Sequence, residues 1–356
     1  MPKIRVLVVE DSLTVRKRLV EVIRSDPDLE VVAEAENGRQ AIELCQALRP
    51  DVITLDMHLP ILDGVSATEH IMGHFPTPIL IVSSSTNRGD LFKTYDALAA
   101  GAVDVLDKPS PDEVDGAWES KFLSAIKLVS RIRVITHIRA RLGSVGRASP
   151  PRLDLPLPPA HGVDQPYSVI ALGASTGGPG ALVDVLRGIP IGLPATILIV
   201  LHIDEPFSSA FADWLGNQTS HQVSYARGGE TLAQGRGRVY MAPPGRHLAV
   251  TAGSIWLSSA PERHSCRPSV DVLFETLAKD CARDVVACLL TGMGRDGADG
   301  LLALRRAGAH TIAQDEATSV IYGMPREAAL LGAAERILPL SEIGAAVTRV
   351  AAKGGR

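Results

Sequence analysis

Val169-Ile170-Ala171-Leu172-Gly173-Ala174-Ser175-Thr176-Gly177-Gly178 is an apolar run that ends in a glycine-rich turn carrying a serine. A short apolar run bounded by such a turn reads as a buried strand handing over to a helix, the repeating unit of a parallel α/β sheet. A hydroxyl at that turn stands clear of the sheet, and the glycines let a carbonyl approach the backbone. The following helix offers N–H donors and the positive end of its dipole. Serine alone is inert, because attack requires a base to take its proton.

Two further runs end in the missing groups. Thr196–Leu201 is strand-like and stops at His202; Asp284–Leu290 is another and leads into Thr291-Gly292-Met293-Gly294-Arg295-Asp296-Gly297. If the three strands are parallel neighbours, Ser175, His202 and Asp296 share one rim. The serine would attack, the histidine carry the proton, and the aspartate orient the imidazole. Other readings stay open on residues alone: a short GxSxG arises by chance, and a strand-ending histidine often serves structure. A nucleotide loop fits poorly, since the turn fails GxGxxG and no Walker lysine follows. An ordinary α/β-hydrolase places its acid before its histidine, the reverse of the order here. A docking module without activity is the remaining rival.

Strand and helix patterns also alternate in the first part of the chain: strands at Ile4–Val9, Val31–Ala35, Val52–Leu55, Ile79–Val82 and Val103–Leu106, with helices at Thr14–Arg24, Arg39–Leu48, Gly64–Phe75, Leu91–Ala100 and about Ala117–Thr136. Ligands of such sheets gather at the carboxyl ends of the strands. Those ends carry Glu10 and Asp11, then Asp56, Ser83 and Lys108-Pro109. Three converging carboxylates repel one another unless a divalent cation sits among them, and oxygen ligands suit Mg2+. Asp56 could then attack a phosphoryl group, with Lys108 neutralising charge and Ser83 offering a hydroxyl.

The 356 residues are 46% hydrophobic and 21% charged, which suits two or three soluble domains. Net charge is −4, spread unevenly: −8 over residues 1–130, +4 over 131–165 and zero beyond. Arg139–Pro166 holds six prolines and no apolar periodicity, so it reads as an extended, semi-rigid linker. Its arginines lack the interleaved aromatics of a nucleic-acid platform, so no nucleic-acid partner is expected. Cys45, Cys266, Cys281 and Cys288 form no CxxC pair and read as small buried apolar side chains in a reducing compartment. The start of the chain has no signal-peptide pattern, and no run reaches the roughly 20 apolar residues of a membrane span. A cytoplasmic protein without membrane insertion is therefore expected. His247 opens a hairpin pattern, His247–Val250 and Ser254–Ser258 around Ala252-Gly253, and reads as structural.

Residues 1–125 resemble the receiver domains of two-component response regulators, through Val8-Val9-Glu10-Asp11-Ser12, Asp56-Met57-His58-Leu59-Pro60 running to Asp63-Gly64, Val82-Ser83-Ser84 and Asp107-Lys108-Pro109. The resemblance implies phosphorylation of Asp56 by a histidine kinase, Mg2+ on Glu10, Asp11 and Asp56, and switch roles for Ser83 and Lys108. The common switch aromatic is Val105 here.

Residues 166–356 resemble the chemotaxis protein-glutamate methylesterases, the CheB family. The likeness runs through Gly173–Pro179, Val239–Leu248, Arg267-Pro268-Ser269-Val270-Asp271, Leu290–Ala298, Thr311–Glu316 and Tyr322–Ala328. It implies two doubly wound parallel α/β domains, a flavodoxin-like receiver and a Rossmann-like esterase, joined over 126–165 by a helix end and the linker. The implied activity is hydrolysis of glutamyl methyl esters on chemotaxis receptors, with glutamine deamidation beside it. The partners would be those receptors and the histidine kinase CheA, in motility or another chemosensory pathway. Ser175, His202 and Asp296 would be catalytic, Thr176 a neighbour, and the Met293 amide an oxyanion donor, with no cofactor at the esterase site. In the family an unphosphorylated receiver blocks substrate. Where members commonly read Gln-His-Met, this chain has Leu201-His202-Ile203-Asp204, a change expected to matter little to the triad.

Overall fold

Valine- and isoleucine-rich segments supply the strands of two parallel sheets, one in each of two compact units, Met1–Ser149 and Pro150–Arg356. The computed structural model describes residues 2–84, 87–109, 116–132, 134, 168–203, 205 and 207–352. The whole of the expected linker, 139–166, and Asp204 lie outside the described residues.

The first unit runs β1 (Ile4–Val9), α1 (Leu13–Ser25), β2 (Leu29–Ala35), α2 (Gly38–Leu48), β3 (Val52–Leu55), α3 (Gly64–His74), β4 (Ile79–Ser83), α4 (Arg88–Ala99), β5 (Asp104–Asp107) and α5 (Ala117–Val129). All pairings are parallel, in the order β2-β1-β3-β4-β5. Strands β3 and β4 are buried along their whole length, as strands covered by helices on both faces must be. Three helices start on side-chain caps: Asn37, Asp63 and Asn87 accept from the N–H groups of Gln40, Ser66 and Asp90. The order reverses between β1 and β3, which brings Glu10 and Asp56 side by side at one crevice. Helix α5 stops short of the expected Thr136. Its buried stripe Trp118, Phe122, Ile126, Val129 ends there, and the Arg131 and Ile132 N–H groups turn back onto Leu128 and Val129.

The second unit runs β6 (Ser168–Ala174), α6 (Gly178–Arg187), β7 (Ala195–Leu201), α7 (Phe211–Thr219), β8 (Gln222–Tyr225), β9 (Arg238–Met241), β10 (His247–Thr251), β11 (Ser254–Ser258), α8 (Val270–Asp280), β12 (Val285–Leu289), α9 (Ala298–Arg306), β13 (His310–Gln314), α10 (Met324–Leu330), β14 (Arg336–Leu338) and α11 (Leu340–Ala351). Seven parallel strands take the order β14-β13-β12-β6-β7-β9-β8. Strand β6 is therefore central, with β7 on one side and β12 on the other. The expected doubly wound α/β architecture is borne out in both units. Strands β10 and β11 form an antiparallel hairpin whose turn residues Ala252 and Gly253 both have positive φ, 49° and 69°, as a tight two-residue turn requires.

Helix α8 anchors one face of this sheet. Leu273, Phe274 and Leu277 are fully buried in a cluster with Val169, Ala171, Leu289 and Leu301, each contributing about 1.5–3 kcal/mol of burial. That packing fixes where the start of α8 sits relative to the strand ends, which matters for the site.

Candidate active site

Backbone hydrogen bonds lock the three strand ends together. The His202 N–H donates to the Ala174 carbonyl at 3.0 Å and extends the β6–β7 ladder by one residue. The Ser175 N–H donates to the Thr291 carbonyl, also at 3.0 Å, and ties β6 to the end of β12. Ser175 thus lies on the rim between the strand that presents His202 and the strand that leads to Asp296. Behind it, Thr291 is buried; its hydroxyl lies 3.0 Å from the Thr176 carbonyl and accepts from the Ile321 N–H at 2.9 Å, while its own N–H donates to Gln314 Oε1 at 2.8 Å. Thr291 and Gln314 escape sequence reasoning because they support the turn without bearing chemistry.

Asp296 is 2% exposed and accepts four hydrogen bonds. Oδ1 receives the Ser269 hydroxyl at 2.7 Å and the Asp271 N–H at 3.2 Å; Oδ2 receives the Val270 N–H at 2.7 Å and His202 Nε2 at 2.9 Å. Two of these donors are the unsatisfied N–H groups that open α8, so the carboxylate sits on the positive end of that helix. Burial works to raise the Asp296 carboxyl, but His202, the Ser269 hydroxyl and the Val270 N–H hold it below the usual carboxylate range. An ionised carboxylate can only accept, so Nε2 carries the proton and Nδ1 is the nitrogen left to act as base.

Ser175 and His202, expected to meet, are not joined in this structure. Among the described residues Ser175 Oγ makes no hydrogen bond to His202; instead Nδ1 faces Cys266 Sγ at 3.7 Å. The reading of all four cysteines as buried apolar filler holds for Cys45, Cys281 and Cys288 and fails for Cys266, which is partly exposed beside the imidazole. Its position comes from the Arg263–Cys266 turn, which carries no asparagine or glycine. Catalytic hydrogen bonds of this kind are often open before substrate arrives.

The other expected residues fall as follows. The Met293 side chain is half exposed, and its N–H donates to no described residue, flanked by Gly292, which bonds Ile321 and Met324 on its two sides. Leu201 is buried with its Cδ1 against the start of α6, so the leucine is a packing residue under the rim. His247 is buried, accepts from the Ser269 N–H and bonds the Pro261 carbonyl, the structural role expected of it.

Gly292 packs tightly against the turn that carries Ser175. A Cβ there would lie 2.7 Å from Ser175 Cβ and 2.4 Å from Met324 Sδ. Gly292→Ala is expected to displace Ser175 and cut ester hydrolysis about 10- to 100-fold while the circular dichroism spectrum stays native, since small misplacements of reacting groups cost that much.

In the first unit, Glu10, Asp11 and Asp56 bring carboxylate oxygens within 4.8 Å of one another. Lys108 Nζ lies 2.8 Å from Glu10 Oε2 and 3.0 Å from Asp56 Oδ2. Burial raises the Glu10 carboxyl, reinforced by the Asp56 charge; burial works to lower Lys108, but Asp56 and Glu10 outweigh it and raise the ammonium. Ser83 is fully buried, and its hydroxyl has no hydrogen-bond partner among the described residues. Three oxygens, one cation and an orphaned hydroxyl suit a hard divalent cation together with a phosphoryl group. Val105 is half-buried and packs against the core of this unit.

Residues 170–347 match the model of the CheB methylesterase family, and residues 6–116 match that of the response regulator receiver domain. Among curated proteins, a protein-glutamate methylesterase/protein-glutamine glutaminase of Nitrosospira multiformis is 43% identical over 99% of this chain and 98% of its own. One from Anaeromyxobacter dehalogenans is 43% identical over 96% of this chain and 95% of its own. Among solved structures, the CheB methylesterase catalytic domain of Thermotoga maritima is 30% identical over 52% of this chain and 99% of its own, with a TM-score of 0.49. No described helix is long and apolar enough to cross a membrane.

Proposed function

The chain belongs to the CheB methylesterase family and carries a response regulator receiver domain ahead of the esterase match, and on that premise we propose that it is a phosphorylation-activated protein-glutamate methylesterase with glutamine deamidase activity. Its substrates would be cytoplasmic segments of chemotaxis receptors, and its phosphodonor the histidine kinase CheA. We assign 1–125 to the receiver, 126–165 to a helix end and linker, and 166–356 to the esterase. The observation that carries the reading is the His202–Asp296 pair at 2.9 Å, on the same rim as Ser175.

Ser175 Oγ attacks the side-chain ester carbonyl as its proton passes to His202 Nδ1, and Asp296 stabilises the imidazolium through Nε2. The Met293 N–H donates to the developing oxyanion, a donor set in place beforehand and therefore worth several kcal/mol in the transition state. The proton on His202 then goes to the departing methoxide, methanol leaves, and the acyl group stays on Ser175. Water attacks that acyl-serine, gives its proton to His202, and releases the glutamate carboxylate. With a glutamine substrate, ammonia departs in place of methanol. Methanol release from methylated receptor by the full chain tests the reading; a chain that releases neither methanol from the ester nor ammonia from glutamine does not have this function.

In the receiver, Asp56 takes the phosphoryl group, Lys108 shifts its charge onto the new phosphoryl oxygens, and Ser83 supplies its unused hydroxyl. Glu10, Asp11 and Asp56 would hold Mg2+, which when bound neutralises charge during the transfer. Asp56→Asn is expected to abolish stimulation by a small phosphodonor, so that methanol release is the same with and without it. A stimulated Asp56→Asn chain would remove Asp56 from this role.

A further inference from the structure

Arg263 and Cys266 close a four-residue turn by exchanging backbone hydrogen bonds, 3.1 Å from the Arg263 N–H to the Cys266 carbonyl and 2.9 Å in return. The two residues between them, His264 and Ser265, both lie in the left-handed region, with φ of 51° and 59°. Two consecutive positive φ values define the tight turn that asparagine-glycine ordinarily fills; neither histidine nor serine is suited to it, and strain of this kind persists only where surrounding contacts hold it. His264 is held by Asp271, its Nε2 3.1 Å from Oδ2, and Arg263 by a two-pronged pair with Glu275 at 2.7 Å on each arm. The result of this bracing is the placement of one thiol, which donates to the His264 carbonyl at 3.3 Å and lies 3.7 Å from Nδ1 of His202.

We propose that Cys266 is a positioning residue of the hydrolytic site: its thiol pairs with Nδ1 of His202 in the resting enzyme, and Ser175 must displace it before the imidazole can act as base. The proposal rests on the esterase reading. Two observations meet in it. Asp296 occupies Nε2, so Nδ1 is the sole base nitrogen, and the serine that needs it makes no hydrogen bond to it while the thiol faces it. A thiol lodged against Nδ1 takes the place from which the serine hydroxyl would have to hand over its proton.

The groups around His202 are few. Asp296 faces it from the segment after β12 and Cys266 from the turn before α8; Asp271, with His264 and Arg263 bonded to it, forms the next layer of charge. Burial works to lower the imidazole, but its hydrogen bonds to Asp296 and Cys266 outweigh it and raise it to about 9. Hydrolysis that needs the neutral ring therefore climbs with pH through that region.

The test compares kcat/KM for methanol release against pH in the full chain, as wild type, Cys266→Ala and Cys266→Ser. Both variants are expected to move the acid limb to lower pH by about one to two units, the usual reach of one neighbouring charge, with unchanged thermal midpoints. A limb at the wild-type position in both variants overturns the proposal. A second readout needs no substrate: iodoacetamide labelling of Cys266, located by mass spectrometry, is expected to slow about tenfold or more in His202→Ala and to keep its wild-type rate in Ser175→Ala. If no form of the chain releases methanol, the esterase reading fails, and labelling alone decides the pairing: a rate indifferent to His202 overturns it.

Discussion

Ser175→Ala is expected to lower methanol release by roughly 10⁴-fold or more, with binding of methylated receptor nearly intact. The size follows from the chemistry, because removing the attacking oxygen removes the acyl-enzyme route and leaves only what the rest of the site contributes. His202→Ala should cost about as much, and the double variant little more than either alone, since nucleophile and base act as one unit. Single-turnover methanol release from the purified variants measures this. Losses that multiply in the double variant would show two independent contributions and leave the shared mechanism without support.

Asp296→Asn carries the second large effect, on two quantities at once. Of the four donors around the carboxylate, Val270 N–H and His202 Nε2 converge on Oδ2. An amide must direct its NH2 at one pair of donors or the other, leaving buried donors facing each other. We expect hydrolysis to fall by about 10⁴-fold, as when the orienting acid of a triad is lost. The same change should destabilise the start of α8 by about 1–3 kcal/mol, read as a lower denaturant midpoint. The pH dependence has a definite sign. The folded carboxyl titrates below its unfolded value, so its stabilisation is complete above the unfolded value and is lost as pH falls through the folded one. Wild type should therefore lose stability toward acid more steeply than Asp296→Asn, whose side chain does not titrate. Parallel acid profiles for the two would contradict the assignment.

Much of this was legible before the structure. Strands such as Ala195–Leu201 and Val285–Leu289 are buried on both faces, so each reads as a continuous apolar run whose last residue points to the rim. Ser175, His202 and Asp296 could be grouped for that reason alone. What escaped was whatever depends on a local rule being overridden. Ser269 stands where a serine normally caps its own helix, yet its hydroxyl bonds Asp296 and makes no cap. Asp296, distant in sequence, does the capping instead. Cys266 was missed because a turn built on His264-Ser265 carries no asparagine or glycine to announce it. The open Ser175–His202 gap was invisible too, since sequence order says which residues share a rim and nothing of how far apart their tips rest.

Strand β6 is the first of its sheet to be synthesised and lies at its centre, paired with β7 and with β12. Its β7 neighbour follows at once, whereas β12 leaves the ribosome roughly a hundred residues later, on the order of ten seconds of translation. For that interval one side of the central strand offers unpaired amides and carbonyls to any passing chain. The nascent protein is thus most prone to mispairing midway through its second unit, and a stalled or truncated product ending before Val285 would be sticky as well as inert.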